Sequence, residues 1–144
     1  MIYPAPTSKI DPALARGTLE EIAGPTATQP GYIVVSVPNT SYRLHLRPST
    51  PITAELGKRI IGTIRAKARR IDSVQTGGRY VEPVFGRPRR IQGSVIAVTA
   101  DAVVVDATMP IHVTPTDPRQ KPTDFAPGQF VSFDALEGAT FAQA

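Results

Sequence analysis

Hydrophobic and cationic side chains alternate from Lys58 onward, and this alternation is the strongest pattern in the chain. In an extended strand successive side chains point to opposite faces, so the alternation sorts them into two sets. One set is aliphatic or glycine: Ile60, Gly62, Ile64, Ala66 and Ala68. The other set carries the cations, which a helix of 3.6 residues per turn would scatter around its axis. The pattern therefore predicts a strand with one buried face and one basic face.

The remaining strands are predicted from β-branched residues and period-two patterns bounded by Gly, Pro and Asn turns. They are placed at 32–37, 42–47, 80–85, 91–98 and 102–107, the last two forming a hairpin. Residues 17–22 fit either a one-turn helix with a capping box or a strand. A short helix is predicted at 49–57, with Thr50 as its N-cap and Gly57 at its end.

Four blocks of sequence recur in the same order in the two halves of the chain. The matches are 17–22 with 93–98, 32–35 with 102–105, 44–48 with 111–115, and Gly57, Ile60 and Gly62 with Gly128, Val131 and Phe133. Both histidines, His45 and His112, fall at one equivalent position. The recurrence predicts an internal duplication and favours a strand at 17–22. Each half then consists of three strands, a short helix or turn, and a further strand.

This order of elements resembles the OB-fold family, in which three strands, a helix and two more strands form a small barrel. The resemblance depends on Gly17 and on the segments 32–37, 42–47 and 57–67. Residues 57–68 are also similar to the closing strand of tandem molybdate-binding (MOP) domains, with Lys67-Ala68 at the position of that family's Lys-Ala pair. The second half departs from that pattern, reading DALEG at 134–138.

The expected fold is therefore all-β, with only short helical turns. It consists either of two related OB-like or SH3-like small barrels or of one barrel with pseudo-twofold symmetry built from both halves. The boundaries expected are a flexible N-terminal arm at 1–15, a first repeat at 16–76, a basic connector at 77–91 and a second repeat at 92–144.

Composition narrows the class of protein further. A chain of 144 residues suffices for one ordinary domain or two very small ones. Fifteen prolines disfavour long helices, and the lack of cysteine excludes disulfides, thiolate zinc sites and cysteine nucleophiles. Neither a signal-peptide pattern nor an apolar run long enough to cross a bilayer is present. We therefore expect a cytoplasmic protein with no membrane partner.

Charge is distributed unevenly along the chain. The net charge is +4, but residues 43–90 contain 12 Lys/Arg and three Asp/Glu, a net charge of +9. The remainder contains four Lys/Arg and nine Asp/Glu, a net charge of −5. A concentration of positive charge in one half predicts a polyanionic partner for that half.

Nucleic acid is the partner that the residue types favour. Cations that can neutralise phosphates are Arg43, Arg47, Arg65, Lys67, Arg69 and Arg70, extended by Arg87, Arg89 and Arg90, and Tyr80 and Phe85 can stack on bases. In the second half Pro110, Thr114, Leu136 and Gly138 correspond to Arg43, Arg47, Arg65 and Lys67, so the scaffold does not require these cations. The alternative is that the cations merely form the solvated side of amphipathic strands.

Other candidate sites have weaker support. Residues 86–90 resemble the Gly-Arg-Pro core of AT-hook peptides, although Phe85 stands where an arginine normally precedes the glycine. His45 and His112 indicate a shared structural hydrogen bond rather than a metal site. Because no phosphate loop or nucleophile motif is present, neither catalysis nor a cofactor is expected.

The predicted function is non-enzymatic binding of single-stranded DNA or RNA through its backbone. Two alternatives remain open. One is a structural module that self-associates into a homo-oligomer by docking its basic half on the acidic half of another copy. The other is binding of a small oxyanion.

Overall fold

A computed structural model describes residues 11–75, 78–136 and 138–144. The predicted arm lies mostly outside these residues, as do Gly77 of the connector and Glu137. The described residues form one 3-10 turn at Pro122–Asp124 and twelve strands: β1 (Ala15–Ala23), β2 (Tyr32–Ser36), β3 (Arg43–Pro48), β4 (Arg59–Ala68), β5 (Asp72–Val74), β6 (Tyr80–Glu82), β7 (Phe85–Gly86), β8 (Arg90–Val98), β9 (Val103–Asp106), β10 (Pro110–Pro115), β11 (Phe130–Asp134) and β12 (Thr140–Gln143).

The all-β class predicted from the sequence is confirmed, and β1 resolves the ambiguity at 17–22 in favour of a strand. In the described part of the chain no helix is long and apolar enough to cross a membrane. Residues 13–15 of the expected arm contact the barrel, since Ala15 pairs with Gly62 and the Ala13 carbonyl lies 2.9 Å from His112 Nε2.

The short helix predicted at 49–57 is wrong, because this segment forms bends and a turn. Its polar groups bond to β12 instead of to a helix. The Thr50 hydroxyl accepts from the Gln143 backbone N–H at 3.0 Å, so it does not cap. The Gln143 side-chain oxygen in turn accepts from the N–H groups of Thr53 and Ala54. Contact with a distant strand has therefore replaced the local capping that the sequence suggested.

The strand predicted at 80–85 is interrupted. Pro83 follows a cis peptide bond after Glu82 and separates β6 from β7. A proline cannot donate to a strand ladder, which explains the break. The two pieces then pair with different partners, β6 with β8 and β7 with β3.

The first barrel is a closed, OB-like arrangement of five strands. β1 pairs with β2 and with β4, and β2 pairs with β3, all antiparallel. β12 inserts between β3 and β4, parallel to the first and antiparallel to the second. The C-terminal strand of the described chain therefore closes a barrel whose other four strands come from the first half.

The sheet of the second half is likewise extended by a strand of the first half, β4. β8 pairs with β9 and β11, and β9 pairs with β10, all antiparallel. β10 lies parallel to the distal part of β4, and Ala68 at the end of β4 forms a bridge with Ala135. Strands assigned by sequence to separate repeats, 16–76 and 92–144, are thus shared, and their inward side chains form one core.

Strand registers in the two halves correspond. Both β1 and β8 contain a bulge at the matched position, between Leu19 and Glu21 and between Val95 and Ala97. Gly17 and Gly93 each lie against a backbone carbonyl of the neighbouring strand, Ser36 in one half and Asp106 in the other, where a side chain would overlap it. Gly57 and Gly128 both adopt positive φ, 77° and 96°, before the fourth strand of their half.

Candidate nucleic-acid interface

Arg47 and Arg65 lie in one row across the sheet formed by β3, β12 and β4. Thr140 pairs with Arg47 on one side and with Arg65 on the other. Side chains at paired positions project from the same face, so the two arginines flank the threonine. At about 4.8 Å per strand spacing their backbones are about 10 Å apart. The two cationic strands predicted from sequence are therefore not neighbours but share one face.

β4 presents its cations outward, as its alternation predicted. Ile64, Ala66 and Ala68 are buried, whereas Arg65 and Lys67 are exposed. Arg69 follows at a bend just after the end of β4 and is also exposed. We call Arg47, Thr140, Arg65 and Lys67 the basic face.

Among the cations predicted to bind phosphates, four lack a nearby acid in the described part of the chain. Within the described ranges, the side chains of Arg65, Lys67, Arg69 and Arg89 form no hydrogen bond or ion pair. They are exposed cations with no neighbouring acid, which is the arrangement that attracts a polyanion.

Three other predicted cations are paired with acids. Arg43 lies 3.8 Å from Glu20, Arg70 lies 3.5 Å from Asp72, and Arg90 lies 2.8 Å from Asp134. Hydrogen bonds to Asp134 and to Tyr80 raise the pKa of Arg90 above its ordinary value. Pairing offsets much of the positive charge at these positions, and they are secondary candidates.

An open cleft of about 550 Å³ adjoins the basic face on the outer side of β2 and β3. The β2–β3 cleft is lined by Thr28, Gln29, Pro30, Tyr32, His45, Arg47, Arg87, Arg89, Gly138 and Ala139. In it Tyr32 and His45 stack with ring centroids 4.7 Å apart and planes inclined by 7°. The cleft therefore joins two connector arginines, Arg87 and Arg89, to Arg47 and an aromatic pair.

Gly138 allows Arg47 to lie across the link between β11 and β12. A Cβ built on Gly138 would lie 2.8 Å from Arg47 Nη1, closer than side chains tolerate. The glycine also has φ +91°, a conformation that other residues rarely adopt. The absence of a side chain at Gly138 thus leaves room for the Arg47 guanidinium beside the cleft.

The two aromatics predicted to stack on bases have different environments. Tyr80 lies on β6, where its hydroxyl donates to Gln92 Oε1 at 3.2 Å, so it holds the connector against β8. Phe85 is 62% exposed and pairs with Arg43 at the start of β3, so its ring is accessible. The structure adds Tyr32, which sequence reasoning missed. A signal for it was available in the sequence, because pairing the predicted strands 32–37 and 42–47 as a hairpin brings Tyr32 opposite Arg47, one step beyond the observed Ile33–Leu46 pair.

The segment resembling an AT-hook is part of the fold. It joins β7 to β8, Pro88 is buried, and Arg90 is held by Asp134. The two histidines occupy matched strand positions but make different contacts, His45 with Tyr32 and His112 with the Ala13 carbonyl. The hydrogen bond expected to be shared by both is therefore seen only at His112 among the contacts of the described residues.

No protein-family model, curated protein or solved structure matches this chain. The fold and the site define it as an all-β protein with a closed OB-like barrel that carries a cationic outer face.

Proposed function

We propose that this protein binds single-stranded DNA or RNA without catalysis, through contacts to the phosphate backbone. The observation that carries the proposal is the basic face, where Arg65 and Lys67 stand uncompensated opposite Arg47. Positive side chains spaced along a strand neutralise successive phosphates and release their counterions, which supplies most of the binding free energy.

The location of the cleft supports the same function. OB-folds bind oligonucleotides and oligosaccharides on the face of their second and third strands, between the loops that join strands 1–2 and 4–5. The β2–β3 cleft occupies that place, with residues 28–30 of the β1–β2 loop on one side and Gly138 before the closing strand on the other. Its cations favour a nucleic acid over a neutral sugar.

Aromatic rings complete the interface. Single-stranded ligands stack their bases on aromatic side chains, at about 1–3 kcal/mol per base. Tyr32, supported by His45, and the exposed Phe85 offer such surfaces, and Arg87 lines a cleft together with each of them. A duplex keeps its bases stacked inside the helix, so rings beside a phosphate track favour a single strand.

The test is a titration of fluorescent single-stranded DNA and RNA oligonucleotides, followed by anisotropy, between about 50 and 200 mM salt. We expect Arg65→Glu/Lys67→Glu to abolish binding. The matched control is Lys58→Glu/Arg59→Glu, which makes the same charge change about 20 Å away along β4, at about 3.3 Å per residue. Absence of wild-type binding at low salt, or an equal loss in both variants, would contradict the proposal. Calorimetry with molybdate, sulfate and phosphate tests the alternative of a small oxyanion.

We also infer that the chain arose by duplication of one half. The corresponding bulges, close-packed glycines and positive-φ glycines support this, because three independent backbone features coincide at matched positions. Under this inference the cations at 43, 47, 65 and 67 distinguish the first half from the second, which has kept the scaffold without them.

A further inference from the structure

A second group of cations lies at the distal end of β4, beyond the basic face. An open cleft of about 620 Å³ there is lined by Arg69, Arg70, Thr116, Asp117, Pro118 and Arg119. We call Arg69, Arg70 and Arg119 the distal cluster. Arg70 and Arg119 are each paired with an acid, Asp72 and Asp117, so Arg69 is the uncompensated member of the cluster. Two of its members follow directly from β4, and the third comes from a loop of the second half that has no part in the β2–β3 cleft.

Backbone hydrogen bonds fix this loop against the end of β4. The Thr116 N–H donates to the Ala68 carbonyl at 2.8 Å, and the Asp117 N–H donates to the Arg69 carbonyl at 3.0 Å. The loop is therefore attached to the same strand that presents Arg65 and Lys67.

Asp117 orients Arg119 without burying it. The Arg119 Nε and Nη2 atoms donate to the two carboxylate oxygens at 3.1 and 3.0 Å, a two-point contact that sets the direction of the guanidinium. Hydrogen bonds from Arg119 lower the pKa of Asp117 to about 2, so this carboxylate is charged at neutral pH. The Arg119 side chain is nevertheless 82% exposed, and its remaining donors face solvent.

The cations form a continuous path from one cleft to the other. Arg65 and Lys67 lie two residues apart on β4, about 6.6 Å at 3.3 Å per residue, and Arg69 follows at a bend just past the end of the strand. Together with the offset of about 10 Å between Arg47 and Arg65, the path from Arg47 to Arg69 covers more than 20 Å. A mononucleotide cannot span this distance, but an extended strand of several nucleotides can.

We infer that the ligand is an oligonucleotide of at least four or so nucleotides, within the range of about 4–16 known for single OB-folds, whose backbone runs from the β2–β3 cleft along β4 to a second phosphate site at the distal cluster. This inference rests on the proposed function and deepens it. It assigns Arg119 of the second half a direct contact with the ligand.

The test is an anisotropy series with homopolymeric oligonucleotides of about two to about twelve nucleotides, on the full-length protein and on Arg69→Glu/Arg119→Gln. The wild-type affinity is expected to rise steeply once the strand reaches the distal cluster. The variant should lose the gain in affinity with oligonucleotide length, whereas its affinity for the shortest oligonucleotides should fall much less. The logarithm of the binding constant falls with the logarithm of the salt concentration, by a slope of about 0.7 for each phosphate contact with a single strand. Loss of two such contacts should therefore reduce the magnitude of this slope by about 1.4.

Lys58→Glu/Lys121→Gln serves as the charge-matched control, because both residues are exposed and lie outside the path. Thermal unfolding of each variant verifies that the fold is intact. The inference is overturned if the affinity of Arg69→Glu/Arg119→Gln rises with oligonucleotide length as much as that of wild type. It is also overturned if the control variant loses this rise to the same extent. Two different results would contradict the proposed function itself. One is that the wild-type protein binds no oligonucleotide, and the other is that Arg65→Glu/Lys67→Glu binds with wild-type affinity.

Discussion

Arg47 and Arg65 come from different strands of the first half, yet Thr140, from the other end of the chain, lies directly between them. The basic face therefore exists only when β12 has closed the first barrel. Phe141 anchors that closure, because its ring is fully buried and packs where Gly62 leaves room. The basic face and the closure of the barrel thus depend on the same short strand.

A negative charge at Thr140 should disrupt binding without unfolding the protein. Thr140→Glu places a carboxylate between Arg47 and Arg65, where it repels phosphate and competes for both cations. We expect about a tenfold loss of affinity, on the order of 1.4 kcal/mol. Ala142→Glu and Ala144→Glu, further along the same face, should have progressively smaller effects in the same anisotropy assay. Equal effects at all three positions would contradict the assigned geometry.

Gly138→Ala should weaken binding through the position of Arg47. The added methyl group meets the guanidinium, and the positive φ costs on the order of 1 kcal/mol of stability. Gly57→Ala is the matched control, since Gly57 has φ +77° but open space around it. Both variants should lose similar stability in thermal unfolding, while only Gly138→Ala loses affinity for oligonucleotides.

Gly17→Ala and Gly93→Ala should each destabilise the protein by about 1–3 kcal/mol, the usual cost of overpacking. In both, the new methyl group overlaps a backbone carbonyl that cannot move without breaking strand pairing. Gly24→Ala is the control, because nothing lies within 4 Å of the added atom. Chemical denaturation measures the differences, and a neutral result at Gly93 would refute the close packing of β8 on β9.

Phe141→Ala should cost about 3–5 kcal/mol, the range for deleting a buried aromatic ring. Its loss removes the anchor that holds β12 between β3 and β4. Leu56→Ala, at a residue 58% exposed, should be nearly neutral. If binding is also measured, the Phe141 variant should lose affinity in proportion to its unfolded fraction, since the basic face depends on β12.

Asp117 should titrate well below an ordinary aspartate. Its pKa in the folded protein is about 2 instead of 3.8 because Arg119 donates to it. A folded-state pKa below the unfolded value means that this contribution to stability is present above about pH 4 and is lost as the pH falls toward 2. A carboxyl NMR titration should show the low midpoint, and Arg119→Gln should return it toward 3.8. An unchanged midpoint in the variant would refute the pairing.

Local patterns predicted the strands well. The alternation from Arg59 to Ala68 identified the buried and exposed faces of β4 residue by residue, because a strand with one side in the core must alternate. The matched blocks of sequence aligned Gly17 with Gly93 and Gly57 with Gly128, whereas the bulges in β1 and β8 were not predicted from the sequence. The helix at 49–57 failed because its capping groups bond to Gln143, about 90 residues away.

The amino-acid sequence by itself determined the all-β class, the alternation of β4 and the excess of positive charge between 43 and 90, since these depend on residue type and on spacing along the chain. Only the tertiary structure decided which cations lie on one face and which are paired with acids. It placed Thr140 between Arg47 and Arg65, and Tyr32 against His45. It also paired Arg43, Arg70 and Arg90 with acids. The physical reason is that strand neighbours and ion pairs are set by contacts between distant segments, and no local pattern encodes the insertion of β12 between β3 and β4.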